Sequence, residues 1–424
     1  MRPSAGRITH AFLAVLLLAA PGGAEDESSF SAGAAREDIT PPAGLPMWGY
    51  GGRRDTPARG TRDPLSATAA VIAWRGERIA IVGLDLGRSP ARESLRIIRE
   101  EVRKRAGVEH VFLTGSHTHH GPCVEVETVE PTAGYVRTLQ ERIVRAVVRA
   151  AEALRPARIG AASEDLPLNR NRHSRIEPKP VDPRLTVIKL EDEAGMPIAV
   201  LVNYAAHPTT RPMALLEWSA DYPAALRARV EEDLGGLCVF LQGASGDLSA
   251  RRGDLDTDAF GRKLGGEAVR IARGVRAEPP RGRGFRAREE EMRFTSRISL
   301  SDPWTYGKYC LAFFKDLVDA YVEEYREGIR PGLTAALLTD DIGLVAVSGE
   351  FFASHAVRLR ERARIEHLLF CGYTNGYHQY FPTIEAVFEG GYGADPDVSP
   401  VEIGAGERLM DRALFFLHDM RKKP

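Results

Sequence analysis

Short apolar stretches, each closed by a glycine, a proline or a polar turn, recur along the chain and set its predicted elements. Residues 68–74 and 78–86 are β-type runs on either side of Arg75-Gly76-Glu77, the pattern of a hairpin. Residues 89–106 carry apolar positions at helical spacing between Ser-Pro and Ala-Gly, so a helix leads into the apolar strand Val111-Phe112-Leu113. A second helix is predicted over 134–154 and a strand over 157–162, followed by a hairpin of 185–190 and 198–204 around Glu193-Ala194-Gly195. Beyond it come a helix at 223–234, a strand at 237–241 and a helix at 259–273. One long amphipathic helix over 303–328, a hairpin over 333–349 and a last strand at 368–373 complete the pattern. Residues 27–66, crowded with Gly, Pro and Arg, read as a loop-rich lead-in, and 275–288 as an exposed connection. Helices interleaved with strands, without repeats, imply an α/β fold of mixed β-sheets flanked by helices, in a single domain over 25–424.

Composition changes this picture little. A chain of 424 residues can bury a large core, and a formal charge of -1 without a basic block leaves no electrostatic footprint for nucleic acid. Arg2 and Arg7, an apolar run over 11–20 and Pro21-Gly22-Gly23-Ala24 follow the order of a secretory signal over 1–24. The expected address is therefore secreted or periplasmic. Cys123, Cys238, Cys310 and Cys371 are widely spaced, follow no metal-knuckle pattern, and do not reveal any pairing.

Candidate chemistry gathers where the strands end. Gly115-Ser116-His117-Thr118-His119-His120-Gly121-Pro122 places three of the eleven histidines within four residues directly after an apolar strand. Neutral imidazole is a common zinc ligand, so the cluster reads as part of a metal site; in extended chain His117 and His119 share a face and His120 points away. Four further strand ends share the design: His207 before Pro208, Asp247 with Ser249 after Gly246, Glu350 after Ser348-Gly349, and Tyr377 with Tyr380. If these ends converge, two imidazoles and a carboxylate supply the three protein ligands of a catalytic zinc. Taken singly, His207 can be a turn histidine, Glu350 a solvated glutamate and Tyr380 a core tyrosine. Asp247 and Ser249 can equally cap a helix or a turn.

Several ordered motifs together resemble the neutral ceramidase family, zinc enzymes that cleave the amide of ceramide to sphingosine and a fatty acid. They are Asp38-Ile39-Thr40-Pro41-Pro42, Met47-Trp48-Gly49-Tyr50, the His117–Pro122 run, Asn203-Tyr204-Ala205-Ala206-His207-Pro208, Gly246-Asp247-Leu248-Ser249, Gly349-Glu350-Phe351 and Asn375-Gly376-Tyr377-His378-Gln379-Tyr380. The resemblance runs from about 32 to 393. It implies zinc ligands at His117, His207, Glu350 and Tyr380, a catalytic serine at Ser249, and His119 beside the metal. His119 is then the expected proton carrier, because a histidine changes charge near operating pH, and Asp247 can orient a ligand. The resemblance implies Arg172, rather than Arg170, as a substrate contact, with Tyr377 and His120 also on the substrate side. The implied reaction is amide hydrolysis by a metal-activated water on a ceramide-like lipid. Read from the residues themselves, the aromatic stretch Trp304, Tyr306, Tyr309, Phe313, Phe314 and Tyr321 can line an acyl-chain groove, make peripheral membrane contact or, as is usual for aromatic residues at helical spacing, belong to the core. Departures are His120 where the family has serine, Ala250 where it has proline, and no room before Pro424 for the C-terminal immunoglobulin-like domain of the larger members. They spare the implied ligands and bear on the substrate, so two rivals stand: a zinc hydrolase of the same scaffold acting on another N-acyl amide or an ester, and a non-catalytic exported protein holding its metal for structure.

Overall fold

The structure, a computed structural model, describes residues 30–422; the signal-like segment 1–24 lies outside them. Eight strands form one sheet in the order Leu237–Gln242, Pro197–Tyr204, Arg184–Asp192, Arg155–Asp165, Phe30–Asp38, Ser66–Trp74, Glu77–Leu84 and His110–Gly115. The sheet bends at Arg155–Asp165, which meets Phe30–Asp38 only through Arg155 and Pro156 and then pairs Arg184–Asp192 along its remaining length. Its two halves fold toward each other so closely that a Cβ on Gly83 would lie 2.6 Å from the Phe240 carbonyl oxygen. A second sheet, in the order Arg286–Glu291, Gly332–Leu337, Ile342–Val347 and His367–Cys371, closes the third side.

Period-two alternation along the strands decides which residue faces which layer. Ile72, Ile79, Ile81, Leu201, Leu241 and Leu344 point into the interior shared by both sheets. Val71, Val82 and Leu84 point the other way, against helices α1 (Arg92–Ala106) and α2 (Thr132–Glu152). Val200 and Val202 meet α3 (Tyr222–Leu234) and α4 (Thr257–Gly274) in the same manner. The outer face of the second sheet is covered by α7 (Ala353–Ala363) and α9 (Ala405–Arg421), while α5 (Pro303–Ala312), α6 (Lys315–Tyr325) and the short α8 (Ile384–Glu389) sit to one end. The architecture is therefore the expected mixed α/β one, with helices outside and sheets inside.

Three expectations give way, the first of them the exposed connection over 275–288: Val275, Ala277 and Phe285 are buried, and 286–288 already belong to strand Arg286–Glu291. Phe30–Asp38, inside the stretch taken for loop, is a nine-residue strand paired along its whole length with Ser66–Trp74. Its Ser, Ala and Gly lack the β-branched signature because α2 crosses it at close range: a Cβ on Gly33 would lie 2.2 Å from the Ala150 carbonyl oxygen. Gly33→Ala is expected to lower the urea midpoint by the equivalent of about 1–3 kcal/mol, the usual cost of overpacking. The long helix predicted over 303–328 is instead two, interrupted where Phe313 and Phe314 become extended. Periodicity continued through this break because both rings still turn inward, toward a pocket.

Candidate metal centre

Three parallel strand pairs share the task of presenting the site: Glu77–Leu84 with His110–Gly115, Pro197–Tyr204 with Leu237–Gln242, and Ile342–Val347 with His367–Cys371. Carboxyl ends of strands leave the chain free to turn and its side chains free to converge. The histidine run begins two residues past Gly115, where Ser116 and His117 donate their backbone N–H groups to the Leu84 and Leu86 carbonyls. His117 is held at φ +69°, and Tyr373, Asn375 and Gln379 across the site lie between +56° and +60°. A non-glycine residue in this region costs about 1–3 kcal/mol and persists where its surroundings fix it. Here the Tyr373 ring lies 4.1 Å from the His117 ring and the Trp48 indole meets it edge-on at 4.9 Å.

His117 and His207 face each other through Nε2, 2.9 Å apart. Glu350 Oε2 lies 3.2 Å from the first nitrogen and 3.8 Å from the second. His117 Nδ1 sits 2.8 Å from the Gly87 carbonyl and His207 Nδ1 sits 3.1 Å from that of Ser245, contacts that require the proton on Nδ1. Both Nε2 atoms are then lone-pair acceptors, and the carboxylate oxygen beside them has no hydrogen-bond partner. Three acceptors pointed at one another in a buried place repel unless a cation lies between them. His119 joins this group, its ligand atom and those of His117 and His207 all within 4.8 Å of one another. Both of its ring nitrogens are buried without a partner. The cluster can hold a metal ion.

The neighbours fix these groups. Tyr377 donates its hydroxyl to Glu350 Oε1, leaving Oε2 for the centre. Burial works against a charged Glu350, but His117, Tyr377 and Arg172 outweigh it and keep the carboxylate below its usual range. Burial, reinforced by His117 and Arg172, holds His119 neutral, far below the ordinary histidine value. Trp48 packs edge-on against His119 at 5.3 Å and donates its indole N–H to Glu125 at 2.6 Å. Glycines supply the room: a Cβ would meet the Trp48 ring at 2.1 Å from Gly87, and the His119 ring at 2.4 Å from Gly49.

An apolar pocket of about 560 Å³ opens onto the cluster, with His119, Glu350, Tyr377 and Tyr380 in its wall. Phe313, Phe314, Leu317 and Tyr321 from the broken helix line its flank. Glu350 and Tyr380 are direct neighbours in a two-residue parallel ladder. Arg172 donates through Nη2 to Tyr380 Oη at 3.1 Å and to the Gly246 carbonyl at 2.9 Å. The same nitrogen is 3.1 and 3.4 Å from the two ring nitrogens of His207, so it lies over that ring rather than along either lone pair. Arg170 is exposed, one residue from the buried Asn171. Ser249 lies opposite Arg170 in a short antiparallel ladder and bridges His207 through its backbone.

Two expected site residues take other places. His120 lies apart from the pocket wall, 2.7 Å from Arg53 Nη2 and 3.2 Å from the Pro212 carbonyl; burial and then Arg53 push it down to about 3. Its neutral ring braces the loop whose His119 carbonyl Arg53 also holds, because a buried guanidinium needs acceptors. Asp247 touches no histidine: its oxygens accept from the Ala353 backbone N–H and from Asn171 Nδ2, both at 2.7 Å, and burial raises it to about 6. It pins the first residue of α7 to the strand Asn169–Asn171. Arg172, expected on the substrate, stands at the site, with Nη2 on Tyr380 Oη and on the Gly246 carbonyl. Sequence reasoning had no sign of Arg53, Glu125 or Gly87, whose contacts are all made across long separations; Tyr373 alone was foreshadowed, as the end of a strand. All four cysteines are free, and Cys123 donates to Glu125 Oε2 at 3.4 Å.

Residues 30–224 match the family model for neutral/alkaline non-lysosomal ceramidase, N-terminal. Over this span, a little under half of the chain, the sequence is similar to the N-terminal region of the neutral ceramidase family. The matched span includes His117, His119 and His207; Glu350, Tyr377 and Tyr380 come from later in the chain. Among curated ceramidases, neutral ceramidase 1 of Arabidopsis thaliana is 28% identical over 221 residues, 46% of this chain and 28% of its own length. Neutral ceramidase 3 of the same plant is 28% identical over 202 residues, 42% of this chain and 27% of its length. The alignments thus span little more than a quarter of these relatives. Neutral ceramidase from Pseudomonas aeruginosa superimposes with a TM-score of 0.75 at 19% identity, over 94% of this chain and 76% of the other. A ceramidase complexed with C2 gives 0.74 at 19%, over 93% and 75%. The fold of the whole described chain is that of the neutral ceramidases.

Proposed function

We propose that this protein is a zinc-dependent amidohydrolase that cleaves the N-acyl amide of ceramide-like lipids to a sphingoid base and a fatty acid. The observation that carries this reading is the convergence of His117 Nε2, His207 Nε2 and the unpartnered Glu350 Oε2 at the end of an apolar pocket. Ligands about 2.0–2.1 Å from a tetrahedral zinc lie about 3.3 Å from one another, close to the 2.9, 3.2 and 3.8 Å found between these atoms. Two nitrogens with an oxygen is also a donor set that suits zinc. When bound, the ion would supply Lewis acidity and make water nucleophilic near neutral pH.

The chain's own groups account for the rest. His117, His207 and Glu350 would hold the ion, and Tyr380, paired with Glu350 in the ladder, would be its fourth protein ligand. Arg172 donates to the Tyr380 oxygen, leaving the phenolic hydrogen free to meet the oxyanion of an amide carbonyl. His119, on the pocket wall with two open ring nitrogens, is placed to take a proton from water and deliver it to the departing nitrogen. Ser249 reaches this set through its bridge to His207, and the water-orienting role given to it rests on the family motif. The aromatic flank excludes water and receives a hydrocarbon chain.

The test is fatty-acid release from a short-chain fluorescent ceramide by the purified protein. Turnover is expected, with loss of at least about nine-tenths of it in a zinc chelator and recovery on adding zinc. Chelator-resistant turnover would remove the metal from the reaction. A protein that holds one zinc yet leaves ceramide intact would shift the reading to another N-acyl amide or an ester, the rival suggested by His120 and Ala250.

A further inference from the structure

Trp48, Trp74 and Trp218 are buried, whereas Trp304 is 84% exposed. It stands on α5 in line with Lys308 and Leu311, at i, i+4 and i+7, so the three share one helix face. Lys308 is the only charged residue in the ten of α5, and Leu311 is 78% exposed while also lining the pocket mouth. Across the mouth stand Phe388 on α8, 83% exposed, and Tyr392, 66% exposed, which lines the same pocket and meets Tyr380 edge-on. The two sides are tied together: Lys308 pairs with Asp397, and Tyr309 donates to the Asp397 carbonyl. Exposed Ile176 adjoins the second side, where Ser174 and the Arg175 backbone N–H donate to Glu389. Apolar side chains therefore stand on both lips and continue in the lining of the pocket, whose wall also holds His119 and Glu350.

A helix face of Trp, Leu and a single Lys, opposed by Phe and Tyr, has the composition that settles at the boundary between lipid headgroups and acyl chains; the aromatic rings sink and the ammonium stays at the polar level. Two cations line this mouth, Lys308, which is balanced by Asp397, and Arg54, which donates to the Cys310 carbonyl of α5; a pair is short of the basic cluster that selects anionic lipid. Among the described residues no helix is long and apolar enough to cross a bilayer. We propose that the α5 and α8 lips dock this protein on a zwitterionic lipid surface, with the pocket mouth facing the acyl layer. The inference rests on the lipid-amide reading of the pocket, for a substrate dissolved in a membrane must enter from it.

Trp304 makes the test direct, since the other three tryptophans are shielded. Emission of the full chain is titrated with phosphatidylcholine vesicles, with and without brominated acyl chains, and vesicle co-sedimentation is read in parallel. A blue shift and bromine quenching are expected; Trp304→Phe should remove both while sedimentation persists. Trp304→Asp/Phe388→Asp should lower sedimentation by at least about tenfold and leave turnover of a water-dispersed short-chain amide unchanged, as neither side chain lines the pocket. No emission change and no sedimentation at saturating lipid would overturn the docking surface, even with full turnover. Vesicle binding without hydrolysis of any amide would support docking and reject the amidase reading. A shift that follows protein concentration without lipid would assign the face to self-association and overturn the proposal.

Discussion

Glu350→Ala should lose zinc and hydrolysis together, with zinc affinity falling by at least about a hundredfold in a competition titration. The side chain serves three partners at once. Oε2 is the only anionic member of the cluster formed with the two imidazoles, and Oε1 accepts the Tyr377 hydroxyl. Glu350 also sits beside Tyr380 in the two-residue ladder, so its removal leaves a buried phenol and two buried lone pairs facing a cavity. Glu350→Gln separates charge from shape: it preserves volume and a Tyr377 acceptor, and still should bind zinc weakly because the neutral amide does not offset the ion's charge. Full zinc content and activity in either variant would take Glu350 out of the metal shell.

Arg227→Met should destabilise the protein by about 3–5 kcal/mol, seen as a lowered urea midpoint. Arg227 on α3 donates through both terminal nitrogens to Asp85, at 2.6 and 2.7 Å, and the carboxylate is 1% exposed. Asp85 also accepts from the backbone N–H and hydroxyl of Ser66, so its loss of the guanidinium leaves a buried charge with only neutral donors. The double variant Asp85→Asn/Arg227→Met should recover much of that loss, since the cost lies in the stranded charge. Equal instability in the single and the double variant would attribute it to packing alone. Asp85 is followed directly by Leu86 and Gly87, whose carbonyls hold His117, so the destabilised variant should also bind zinc less tightly.

The separate elements were largely legible. The hairpin turning at Arg75-Gly76 appears with Trp74 opposite Glu77 and both turn residues at positive φ, as two-residue loops require. Helix 89–106 appears as α1 with Gly107 in the left-handed position after its end. What failed had two causes. Phe30–Asp38 was hidden because a strand pressed under a helix needs small residues, and small residues carry no strand signal. The break at Phe313 and Phe314 was hidden because apolar spacing reports which side is buried and is silent on whether the backbone continues.

The site divides in the same way. The order apolar strand, glycine or proline, then His, Asp, Glu or Tyr is local, and it marked His117, His119, His207, Glu350 and Tyr380 before any contact was known. Which of these meet is not local: Glu350 stands more than two hundred residues beyond His117, and only the closing of the second sheet against the bent one brings Oε2 to 3.2 Å from Nε2. Tertiary structure likewise parted neighbours, sending His119 to the pocket and His120 to Arg53, and turned Asp247 into an anchor for α7. Sequence by itself determined the strands and helices and the kinds of side chain mounted at their ends, because pattern and turn chemistry act within a few residues. The tertiary structure alone decided which of those side chains share a centre, because burial, tautomer and charge are set by groups that the chain brings together from far apart.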